Sequence, residues 1–87
     1  MRQAKKERRP TLFIWTSRIQ EMLDAVVPEL MDEFMADRDE ISFSPLLDGE
    51  MNWDTARVAI YLDGRVVAYA RLNSPNADAR LIIDMEP

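Results

Sequence analysis

Carboxylates are the chemistry this chain offers most densely. Glu29, Asp32, Glu33, Asp37, Asp39 and Glu40 crowd one short stretch, with Arg38 as the only cation among them. Glu29, Asp32 and Glu33 stand at i, i+3 and i+4, the spacing that gathers side chains on one face of a helix. A row of this kind attracts basic protein surfaces and steers their approach. Displayed on a rigid helix, it can stand in for a phosphate backbone in a groove meant for nucleic acid. The plainer reading is a solvated acidic face.

Catalytic chemistry has less to work with. The chain contains no His and no Cys, so the commonest neutral-pH base, the commonest metal ligand and any thiolate are missing. The hydroxyls at Thr11, Thr16, Ser17, Ser42, Ser44, Thr55 and Ser74 stand in no activating context. Asp48, Glu50, Asn52 and Asp54 alternate as in a calcium loop. Such a loop needs glycine at its sixth position and an acid at its twelfth, where Trp53 and Ala59 stand. The two glycines, Gly49 and Gly64, make no phosphate-cradling loop. No enzymatic activity, cofactor or metal is expected.

Charge is unevenly distributed. Residues 1–10 hold Arg2, Lys5, Lys6, Arg8 and Arg9 against Glu7, whereas the remainder carries fifteen acids against six arginines. The expectation is a disordered basic arm over residues 1–10 and a single acidic domain over 11–87. The arm has no interleaved aromatics for base stacking, and the helix is acidic, so direct sequence-specific DNA binding is not expected. No apolar run reaches membrane-spanning length, and a cytoplasmic protein is expected. So small a core without disulfides favours a homodimer or an obligate complex.

These side chains need elements to hold them. Apolar residues recur at Ile19, Met22/Leu23, Val26/Val27, Leu30/Met31 and Phe34/Met35, which predicts a helix over 17–38. Ser17 and Gln20 read as its capping box, and Pro28 as a kink within it, the alternative being a break into two helices with Pro28 at the first position of the second. Thr11 to Trp15 is β-branched and aromatic and reads as a strand. Further strands are expected over 41–46, 55–62, 65–72 and 79–85, with Asp63-Gly64 as a two-residue type I′ turn. The fold class is therefore α+β, with one long, Pro28-kinked helix packed on a four- to five-stranded antiparallel sheet.

Strict alternation from that turn would put Arg57, Ala59, Tyr61, Val66, Ala68 and Ala70 on the face the helix covers. Val58, Ile60, Leu62, Val67 and Tyr69 would then form a second apolar face, open to a partner or a second copy. Trp15, Trp53, Tyr61 and Tyr69 are the aromatic anchors to consider.

Residues 57–87, a hairpin followed by a third strand, resemble the central strands of GNAT-type acetyltransferases. In that family a coenzyme-binding loop and helix come next, and here the chain stops at Pro87, so the resemblance implies a β-meander and no activity. In size and charge alone the chain is similar to the small acidic inhibitors of phages and mobile elements, anti-CRISPR proteins among them. The expected function is a protein-binding inhibitor, with Glu29, Asp32, Glu33, Asp37, Asp39 and Glu40 blocking a basic nucleic-acid-binding site on a partner protein. The alternative is a homodimeric structural or accessory subunit joined through the apolar sheet face.

Overall fold

A computed structural model describes residues 10–47 and 52–87 of the 87-residue chain, with side chains in the first helix from Ile14 onward. The expected basic arm, but for Pro10, lies outside the described residues, as do Asp48, Gly49 and Glu50 of the expected connection. The fold is α+β: two helices on a four-stranded antiparallel sheet. In chain order these are α1 (Pro10–Ala25), α2 (Val27–Phe34), a 3₁₀ turn (Arg38–Glu40), β1 (Ile41–Leu46), β2 (Arg57–Leu62), β3 (Arg65–Leu72) and β4 (Leu81–Met85). The strands lie side by side in that same order.

Two expectations fail at the N-terminal end. Thr11 to Trp15 is not a strand but the opening of α1, so the sheet has four strands and not five. Ser17, taken for a cap, lies inside that helix and faces solvent. The apolar rhythm begins upstream of Ile19: half-buried Trp15, then Ile19 and Leu23 at successive four-residue steps, the last two at 0% exposure. Burying each such side chain contributes about 1.5–3 kcal/mol, enough to override the β propensity of a five-residue run.

A single kinked helix is also not what forms. The chain leaves α1 at Val26 (φ −110°, ψ 13°), whose N–H closes a tight turn on the Leu23 carbonyl at 3.0 Å. Pro28 then falls in the first turn of α2, where the missing N–H has no helical partner to lose. The break lets α2 re-aim its apolar side, so that Val27 and Leu30 are buried while Met31 and Phe34 pack against the core.

Met35 ends α2 in the left-handed region (φ 53°, ψ 51°), with its N–H on the Asp32 carbonyl and that of Ala36 on the Met31 carbonyl. Glycine is the usual residue there, since any other side chain costs about 1–2 kcal/mol. Met35 is 91% exposed and offsets none of that cost by packing. A Met35→Gly variant is therefore expected to gain about 1 kcal/mol of stability, read as a higher urea midpoint at unchanged slope. A lower midpoint would show that the methionine packs after all.

The hairpin turn forms as the sequence dictates, with positive φ at both Asp63 (52°) and Gly64 (84°). Leu62 faces Arg65 and Tyr61 faces Val66, but Ile60 faces Ala68, Ala59 faces Tyr69 and Val58 faces Ala70. Val67 is thus an extra residue in β3, a β-bulge that shifts the register by one. The bulge changes which face each residue joins. The face under the helices takes Val58 and Ile60 from β2 with Ala68, Ala70 and Leu72 from β3; all five belong to one core with Ile19, Leu23 and Leu30. On the far face the register aligns Ser44, Ala59, Tyr69 and Asp84 in one row and places Tyr61 beside Val66.

Candidate functional site

α2 is amphipathic by position. Its buried side holds Val27 and Leu30; Glu29, Asp32 and Glu33 are exposed. The chain then turns at Met35 and enters the 3₁₀ turn through its cap, Asp37, and Asp37, Asp39 and Glu40 are exposed as well. All six carboxylates expected to meet a partner stand on the surface, on two consecutive elements.

That surface is fixed rather than loose. The Asp37 N–H donates to Glu40 Oε1 at 2.8 Å, and the Glu40 N–H to the Asp37 carbonyl at 3.1 Å. The Asp63 N–H donates to the Glu40 carbonyl at 2.8 Å, tying the turn to the tip of the hairpin. Glu40 therefore holds local structure, a duty its place in the charge run did not reveal. Arg38, the cation inside the row, forms no ion pair with it: its Nη1 donates to the Ile41 carbonyl at 2.8 Å and its guanidinium lies 5.8 Å from the Phe43 ring centroid.

The other arginines with mapped partners are engaged elsewhere. Arg18 donates to the carbonyls of Asn76 (2.6 Å) and Ala77 (3.1 Å), and Arg57 to those of Asp54 and Ala56, both at 3.0 Å. Among the described residues the one ion pair joins Arg71 Nε to Asp84 Oδ2 at 2.6 Å, on the far face of the sheet. The Arg71 guanidinium, bonded to the Asp84 carboxylate, holds that carboxyl below its usual range. No carboxylate of α2 or the 3₁₀ turn has such a partner among the described residues.

The expected apolar partner face is not assembled. Val58 and Ile60 are at 0% exposure inside the core, Leu62 and Val67 are half-buried against it, and Tyr69 stands on the opposite side of the sheet. The bulge at Val67 is the cause. Of the aromatic anchors, Trp15 packs against the core, while Tyr61 and Tyr69 are half-exposed on the far face.

Sequence reasoning missed an apolar groove of about 450 Å³ between α2 and β4. Leu30 and Phe34 line one side of it and Leu81, Ile83 and Met85 the other, with Glu29 and Glu33 also on its α2 wall. It exists because α2, freed by the break at Val26, reaches the edge of the sheet without sealing against it. No spacing within either segment signals that meeting.

Among the described residues no group of three or more carboxylates is arranged to hold a metal ion, and no helix is long and apolar enough to cross a membrane. Asp48 and Glu50 of the calcium-like pattern lie outside the described residues. Comparison with protein-family models, curated proteins and solved structures finds no match to this chain.

Proposed function

We propose that this chain is a non-enzymatic binding protein of the cytoplasm, an inhibitor whose acidic surface occupies a basic, nucleic-acid-binding site on a partner protein. One observation carries the reading: Glu29, Asp32, Glu33, Asp37 and Asp39 are exposed on anchored backbone, and the nearest arginine in sequence is turned to a carbonyl and a ring instead. Like charges left uncompensated repel one another, and a cationic partner relieves that repulsion. Anchored backbone also means that little ordering entropy opposes binding. Met35, exposed at a strained backbone position between the two acidic elements, is the apolar anchor of this surface.

Capture tests the reading. Immobilised protein, exposed to lysate of its host or target cell, is expected to retain one stoichiometric partner that binds nucleic acid through a basic site. The partner is lost as salt rises from low to moderate, and nucleic acid competes for it. Capture that ignores salt and nucleic acid would overturn the proposal.

A second reading is self-association through the far sheet face. The half-exposed Tyr61, Val66, Tyr69 and Ile82 on that side favour it. A salt-insensitive dimer mass, lost in a Tyr69→Glu variant, would establish it.

A further inference from the structure

The groove between α2 and β4 opens beside the outer edge of the sheet, and the two features address the same residues. No described strand pairs with the outer side of β4. The Asn73 N–H donates to the Arg80 carbonyl, and the Glu86 N–H to the Val67 carbonyl. Antiparallel ladders alternate, so Arg80, Ile82, Asp84 and Glu86 turn their backbone groups toward β3. Leu81, Ile83 and Met85 turn theirs outward, and these three also line the groove with their side chains. A strand laid along β4 would bond to those residues and send every second side chain under α2.

We infer that β4 and α2 together form a strand-addition site for an extended, basic segment of a partner protein, with Lys or Arg at alternate positions. The inference rests on the proposed acidic-surface function and specifies the partner's chemistry. The groove offers an apolar floor and two carboxylates, Glu29 and Glu33. Long basic side chains fit both, because their methylene stems pack on Leu30, Phe34 and Ile83 while their heads stay at the carboxylates. Spacing agrees as well. Glu29 and Glu33 are separated by about 6 Å of helix rise, and alternate strand residues by about 6.6–6.8 Å. A second copy is a poorer occupant: paired edge to edge it would lay its own Leu81, Ile83 and Met85 in the groove and leave Glu29 and Glu33 without a cation.

The test is backbone amide exchange, read by NMR on the full chain without and with a capped peptide of alternating lysine and threonine. In the free protein the amides of Leu81, Ile83 and Met85 should exchange fast, and those of Ile82 and Asp84 slowly. At saturating peptide the first three are expected to slow by about tenfold or more. A lysine–threonine peptide N-methylated at every residue, equally charged but with no backbone donor to offer β4, should give no such protection. Nor should a glutamate–threonine peptide. A Met85→Pro variant, which removes an outward amide at a half-exposed position, should weaken the lysine–threonine peptide while keeping the parent's melting curve.

Equal binding of both lysine peptides without β4 protection would overturn strand addition and leave the acidic-surface reading standing. Equal protection by the glutamate peptide would overturn the role of Glu29 and Glu33. Protection that appears without peptide as protein concentration rises would make a second copy the occupant and overturn the inference. Binding by none of the peptides would overturn it too, with the capture experiment still deciding the broader reading.

Discussion

An Ile60→Asp variant is expected to lose its cooperative thermal transition altogether. Ile60 is at 0% exposure, faces Phe43 on β1 and Ala68 on β3, and belongs to the core that Ile19 and Leu23 complete from α1. The substitution forfeits about 1.5–3 kcal/mol of apolar burial. It also leaves a carboxylate without a partner in that core, at a cost of several kcal/mol. Whole domains have only about 5–15 kcal/mol to lose, and small ones sit at the low end. Melting followed by circular dichroism would show a flat, non-cooperative curve. Tyr69→Glu, on the far face, should melt cooperatively near the parent. A cooperative Ile60→Asp melt would mean that the residue faces solvent and not the core.

Converting Asp32, Glu33, Asp37 and Asp39 to their amides is expected to slow association with the captured partner by about 10- to 1,000-fold at low salt. Dissociation should change less, because exposed charges act mainly on encounter. Glu40 stays unaltered in this variant, since its carboxylate accepts the Asp37 N–H. The four positions are exposed and in no mapped ion pair, so stability should move by no more than about 0.5 kcal/mol. Stopped-flow association at two ionic strengths reads both the rate and its salt dependence. A rate equal to the parent's at low salt would sink the mimic proposal.

The parts of this fold written locally are legible in the amino-acid sequence. The Asp63-Gly64 turn, the bounds of β1 and β3 and the α+β class all follow from turn chemistry and alternation within a few residues. The acidic surface was legible for the same reason, since charge on an amphipathic helix points outward. What failed was decided at a distance. Thr11 to Trp15 has the composition of a strand and becomes helix because its stripe continues into Ile19 and Leu23, which the sheet buries. Pro28 divides the helix because in the first turn of α2 its missing N–H has no helical partner to lose, whereas inside one long helix it would cost a hydrogen bond. The bulge carries no signature at all: Val66-Val67 reads as two ordinary strand residues. It moved Val58 and Ile60 from an expected surface to the core, and with them the expected apolar contact. The groove between α2 and β4 joins segments about fifty residues apart in sequence.

The strand order has a consequence for how the chain comes together. Each strand neighbours the next in sequence, so every pairing in the sheet closes only a short loop and loses little chain entropy. The first helix is the exception. It lies across β2, β3 and β4, all of which follow it in the chain. On the ribosome α1 therefore emerges with Ile19 and Leu23 bare, and they remain so until the last hairpin has left the exit tunnel. In the nascent chain one half of this domain's core is made before the strands that cover it.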